Sequence, residues 1–284
     1  MEQLRAIQAE KDGLARRAAA TSMGTPREEP GSRVPNLAYG RYYALIIGNN
    51  RYQYLPNLET AVNDAQTLAQ LLRDRYRFQT RVLTDASRYD ILSAIEDFRK
   101  KLTEKDNFLL YYAGHGELDR ANDRGNWLPV DAEPDSRANW IANTAITDIL
   151  NSMSAKHIMV IADSCYSGTL ARAVTTSLEG GRSPQAQVKW YKIMIETPSR
   201  AVLTSGGERP VLDTGGGDHS LFARTLLDVL GANQAILEGP LLYQRVANQV
   251  KTKAGELRVE QNPRYAVLRF AGDGGGVFLF VPGN

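Results

Sequence analysis

The chain has one cysteine and three histidines in 284 residues, so thiol chemistry would pass through Cys165 and one of His115, His157 and His219. Cys165 sits in Ile161-Ala162-Asp163-Ser164-Cys165-Tyr166-Ser167-Gly168, where an apolar run breaks into small polar residues. His115 lies in Ala113-Gly114-His115-Gly116, straight after Phe108 to Tyr112 (FLLYY). A protonated thiol is a poor nucleophile; an imidazole can take its proton and later return it to a leaving amine. The pair would therefore suffice for acyl transfer. Glycines on both sides of His115 let the backbone approach a substrate closely, and the Gly116 N–H could join the Cys165 N–H around a developing oxyanion. Taken alone, Cys165 reads equally well as a small core residue. His157 opens an apolar strand, and His219 precedes a helix in Asp218-His219-Ser220, a capping sequence. Only His115 stands between glycines after a buried run.

Competing chemistries find less support. One cysteine and dispersed histidines give none of the spacings of a zinc site. The glycine-rich stretch 215–218 lacks the Lys-Ser/Thr of a phosphate loop, and Asp213 and Asp218 beside it oppose phosphate. No internal disulfide is possible.

The elements that must position these residues alternate along the chain. Tyr42 to Ile47 (YYALII) reads as a strand, Leu58 to Leu72 as a helix, Gln79 to Leu83 as a strand and Tyr89 to Leu102 as a helix. FLLYY, His157 to Ala162 (HIMVIA) and Ala201 to Thr204 read as further strands, with a helical pattern at Thr147 to Met153. Helices follow at Ser220 to Leu230 and Leu241 to Lys253, and Val277 to Val281 closes the chain as a strand. The pattern predicts an α/β fold, a mainly parallel sheet with helices on both faces. Ligands of such sheets collect at the carboxyl ends of the strands, where FLLYY delivers His115 and HIMVIA delivers Cys165. The two meet only if those strands are neighbours.

Hydrophobic residues at 43% and charged residues at 23% are ordinary globular values. No apolar run approaches the roughly 18 residues of a membrane span, so neither a membrane nor an export address is expected and the cytoplasm is the expected compartment. The net charge of +2, with no basic stripe interleaved by aromatics, speaks against nucleic acid. Residues 1–38 read as a helical stump followed by a linker rich in Pro, Gly and Ser that cannot bury apolar surface. The domain proper then runs over 39–284: a larger part to about 170, an exposed loop over 171–198 and a smaller part over 199–284.

YYAGHG followed 50 positions later by DSCYSG resembles the caspase-like cysteine peptidases, most closely the bacterial metacaspases. Supporting stretches are ALIIGNNRY, AVNDA, SRAVLTSG, HSLFARTLL and VFLFVP. The resemblance implies a caspase-like three-layer fold acting on polypeptides, with Cys165 as nucleophile and His115 as its partner. Metacaspases read Arg or Lys at P1 with acidic residues, and the matching positions are Asp64 and Asp163. Two carboxylates favour a basic side chain and repel aspartate. Without the resemblance, Asp64 reads as a solvated helix residue and Asp163 as a strand-end cap.

The sequence departs from the pattern in lacking Gln-Ala-Cys-x-Gly and in carrying Tyr166 where many metacaspases have histidine. Calcium-dependent relatives hold the ion with several acids; Asp131 and Asp148 fall near such positions, but Arg172 stands where another acid belongs, so no cofactor is expected and a calcium requirement is doubtful. Self-cleavage after Arg27, Arg33, Arg172, Arg182, Lys189 or Lys192 is a further expectation, as is a monomer. Two other readings stay open: an inactive caspase-like scaffold that binds peptides or partners, and a peptidase with acidic or small P1 preference.

Overall fold

In chain order, a computed structural model places β1 (Arg41–Gly48), α1 (Ala61–Tyr76), β2 (Gln79–Thr84), α2 (Arg88–Lys101), β3 (Asp106–Ala113), β4 (Gly116–Asp119), β5 (Arg124–Trp127) and β6 (Ile141–Ala142). Next come α3 (Asn143–Asn151), β7 (His157–Asp163), β8 (Ala171–Ala173), α4 (Pro184–Glu196) and β9 (Ser199–Thr204). The chain closes with α5 (Leu221–Ala232), β10 (Leu237–Glu238), α6 (Gly239–Glu256), β11 (Arg264–Leu268) and β12 (Leu279–Phe280). The structure describes residues 34–119, 124–164, 171–173, 183–206, 217–268 and 271–283, which fall in the compact unit Val34–Asn284. Cys165 and residues 1–33 lie outside them.

The main sheet has seven strands in the order β2-β1-β3-β7-β9-β11-β8. The first five run parallel, while β11 is antiparallel to β9 and to β8. Every residue of β3 and β7 is buried, because side chains alternate between two covered faces. Leu109, Tyr111 and Ile161 pack on one face with Leu68 and Leu72 of α1 and Phe222 of α5. Leu110, Tyr112 and Val160 pack on the other with Ile91 and Ile95 of α2 and Ile146 of α3. Helices on both faces of a mostly parallel sheet make the expected three-layer arrangement. Among the described residues, no helix is long and apolar enough to cross a membrane.

Two expectations need correcting. Residues 171–198 do not form a simple exposed loop: β8 pairs with β11, and α4 occupies Pro184–Glu196 with Tyr191 and Met194 buried. The Ser-Pro pair that suggests a loop starts this helix, since the Ser183 side chain accepts from Ala186 N and Pro184 supplies a first-turn residue that needs no donor. Val34 and Leu37 also bury apolar surface, packing against the cluster of Tyr191, Ile236 and Leu279. The linker composition hides them because two apolar residues among prolines and polar residues show no periodicity.

Candidate functional site

Strands β3 and β7 are parallel neighbours, and their register sets Ala113 beside Asp163. His115 follows the first by two residues and Cys165 follows the second by two. The neighbouring β1 ends level with them, Gly48 beside Ala113. The loops after β1, β3 and β7 therefore leave from one edge of the sheet, where the strand pattern predicts a site.

The loop after β1 is tied down by its asparagines. Asn49 Oδ1 accepts from Ala86 N at 2.9 Å, and Asn50 donates to the Glu59 carbonyl at 3.0 Å and accepts from Val62 N at 3.1 Å. Asp85 Oδ1 accepts from the amides of Asn50 and Arg51. This scaffold carries Tyr52 and Pro56 onto His115. The His115 N–H donates to Tyr52 Oη at 2.8 Å, and the two rings lie 4.6 Å apart. The Tyr112 hydroxyl stands 2.8 Å from the His115 carbonyl and 2.9 Å from that of Leu128, and Leu128 N donates to the same His115 carbonyl. A Cβ at Gly114 would lie 2.7 Å from Tyr52 Oη and 2.8 Å from Tyr112 Oη, so only glycine fits between the hydroxyls that hold the next residue.

The imidazole Nε2 is 2.8 Å from the Pro56 carbonyl oxygen. A carbonyl only accepts, so Nε2 carries a proton, and in the neutral ring the lone pair is on Nδ1. Nδ1 is thus the nitrogen able to take a thiol proton, and the same carbonyl would stabilise the imidazolium. Gly116 is buried at the head of β4, paired with Trp127 of β5. Cys165 and its N–H lie outside the described residues.

The structure brings Asp64 and Asp163 together. Asp64, one turn into α1, is 1% exposed, and Asp163, closing β7, is 7% exposed. Both bind the head of α5: Ser220 N donates to Asp64 Oδ2 at 3.3 Å, and Ser220 Oγ donates to Asp163 Oδ2 at 2.5 Å. Ser220 Oγ also accepts from Ala223 N, which makes Ser220, not His219, the helix cap. His219 Nδ1 lies 2.6 Å from Asp64 Oδ1. Beneath the pair, burial first, and then the Asp163 and Asp64 carboxylates, push the phenol of fully buried Tyr111 well above its usual value. Neither acid is the solvated helix residue or free strand-end cap that the residues alone suggest.

Of the residues considered for calcium, Asp131 accepts from Arg88 N at 2.9 Å and Asp148 is exposed on α3. Among the described residues, no three acids, histidines or cysteines cluster as metal ligands. Sequence reasoning missed Tyr52, Pro56 and Tyr112, and read His219 and Ser220 only as a capping sequence. Pro56 acts through its main chain, which leaves no trace in side-chain pattern, whereas the Asp218-His219-Ser220 sequence did mark the head of α5.

A family model for the caspase domain (peptidase C14) matches residues 41–270. Mucosa-associated lymphoid tissue lymphoma translocation protein 1 of Homo sapiens is 37% identical over 89 residues, covering 31% of this chain and 10% of that protein. The homolog from Mus musculus matches to the same extent. The matched segment thus spans about a tenth of these relatives' length. A crystal structure of a Geobacter sulfurreducens protein superposes with a TM-score of 0.55 at 20% identity, over 80% of this chain and 93% of that one, a likeness of fold.

Proposed function

The chain belongs to the caspase-domain family of cysteine peptidases, and from that premise we propose that it is an endopeptidase cutting after Arg or Lys, with Cys165 as nucleophile and His115 as base. The observation that carries the reading is the convergence of two buried carboxylates, Asp64 and Asp163, on Ser220 at the sheet edge that also holds His115. A cationic P1 side chain is the guest that two carboxylates withdrawn from water favour by charge.

In this mechanism the Cys165 thiol gives its proton to His115 Nδ1, and the thiolate adds to the P1 carbonyl carbon. The oxygen takes up negative charge facing the N–H groups of Gly116 and Cys165. Collapse breaks the C–N bond, and the imidazolium protonates the departing amine. A water molecule, deprotonated by Nδ1, then adds to the thioester; its collapse releases the acid and restores the thiol.

Self-processing belongs to the same proposal, in narrower form. Lys189 and Lys192 are helical residues of α4 and Arg172 is paired with Val267 in the sheet, so among 171–198 the position left is Arg182. We also take the enzyme to act as a monomer without calcium.

The test is a fluorogenic peptide panel varied at P1, run on wild type and Cys165→Ala, in calcium and in chelator. Cleavage after Arg and Lys, equal in both buffers and lost in Cys165→Ala, is the expected outcome. A preference for Asp, Glu or small residues would reassign the acids, and no turnover of any peptide would leave a peptide-binding scaffold.

A further inference from the structure

His219 is unexplained by either packing or capping. It is 6% exposed, it immediately precedes the cap Ser220, and its Nδ1 faces a carboxylate oxygen at 2.6 Å. The dipeptide His219-Ser220 engages both acids: His219 and the Ser220 amide take the two oxygens of Asp64, and the Ser220 hydroxyl takes Asp163. Nothing else at the head of α5 requires an imidazole, since the cap bond to Ala223 N comes from Ser220.

We propose that His219 is a positioning residue for P1 specificity, which in its neutral form donates Nδ1–H to Asp64 and aims that carboxylate at the substrate's basic side chain. The proposal rests on the Arg/Lys reading. When neutral, the imidazole orients Asp64 while leaving its negative charge for the guest. When protonated, it forms an ion pair with Asp64 and competes with the substrate cation. The groups around it come from three elements: Asp64 and Asn63 on α1, Asp163 of β7 through Ser220, and Asp218, Arg224 and Asp228 before and along α5. Asn63 donates its amide to the Asp218 carbonyl at 2.8 Å. Burial first, and then Arg224, hold the His219 imidazole below its usual value, against the opposing pull of Asp218 and Asp228. That direction favours the neutral ring, the contact with Asp64 favours the charged one, and recognition of basic substrates weakens as acidification protonates the imidazole.

The experiment compares wild type, His219→Ala and His219→Asn on Arg-P1 and Lys-P1 peptides from pH 5 to 8.5, with the rate of Cys165 alkylation by iodoacetamide as a measure of the dyad alone. Asparagine places an amide N–H where Nδ1–H stands but does not titrate. His219→Ala should raise KM about tenfold with kcat changed by less than about threefold, the pattern of lost binding rather than lost chemistry. His219→Asn should recover most of the KM and flatten the acid loss of kcat/KM relative to the alkylation profile. If His219→Ala does not fold, His219→Asn decides on its own: an acid loss identical to wild type overturns the proposal. Wild type that cleaves neither Arg nor Lys peptides overturns the P1 reading and this inference with it, whereas wild type that cleaves both with variants indistinguishable from it overturns this inference alone.

Discussion

His115 is held at three of its atoms. Its N–H goes to Tyr52, its carbonyl meets the Tyr112 hydroxyl and its Nε2–H goes to Pro56. The fourth, Nδ1, is the one the proposed chemistry uses. Tyr52→Phe tests how much this holding matters, since the phenylalanine ring keeps the contact with the imidazole while the hydroxyl that accepts His115 N–H is lost. Leaving a partly buried amide without its acceptor costs roughly 1–3 kcal/mol. If half of that falls on the transition state, kcat drops about two- to tenfold, with KM unchanged because the Tyr52 hydroxyl bonds the His115 N–H rather than either carboxylate. The check is steady-state kinetics on an Arg-P1 peptide beside a urea titration; a KM effect without a kcat effect would remove Tyr52 from the positioning of His115.

At the scale of elements, the loop between β1 and α1 matters as much as either strand that bears the motifs. Thr60 precedes α1 without making a side-chain cap, and Asn50 does the work from ten residues upstream by accepting from Val62 N. Asn50→Ala should therefore lower stability by about 1 kcal/mol, the usual cost of a lost cap. It should lower kcat more than that loss explains, because the same loop delivers Tyr52 and Pro56. Asn50→Asp keeps the acceptor at the helix start but loses the donor to Glu59, so denaturation should recover more fully than turnover. The strand and helix alternation was legible because β1, β3 and β7 are covered on both faces and so read as continuous apolar runs. The meeting of His115 with the Cys165 strand was legible only up to strand order, which periodicity does not encode and the β3–β7 pairing supplies. Helix α4 was lost because Ser183-Pro184 serves loops and helix starts alike, although Val188, Tyr191, Met194 and Ile195 keep helical spacing. The roles of Tyr52 and Pro56 were unreadable because they depend on where a loop closes, not on a local pattern.

Across the whole molecule, the second histidine links the sheet to α4 and makes folding stability sensitive to pH. His157 opens β7, its Nε2 lies 3.1 Å from the Ile195 carbonyl of α4, and its Nδ1 lies 3.0 Å from Ser199 Oγ at the head of β9. The carbonyl requires a proton on Nε2, so in the neutral ring Nδ1 accepts from the serine. Burial first, with Lys156 and Arg200 adding to it and the Ile195 bond and Glu196 opposing, lowers its pKa to about 4. The unfolded chain protonates this histidine near 6.5, so it binds more protons than the folded state between those values. The stabilisation associated with the neutral ring is present above about pH 6.5 and is lost as the pH falls toward 4, up to about 3 kcal/mol for a shift of this size. Against a total of about 5–15 kcal/mol for a domain, that is enough to move a urea midpoint visibly. His157→Gln, which cannot titrate, should start less stable at pH 7.5 and lose less between pH 7 and 4.5. The difference between the two slopes isolates His157 from the carboxylates and from His219, which titrate in both proteins; parallel slopes would mean that the ring is not held neutral between β7, β9 and α4.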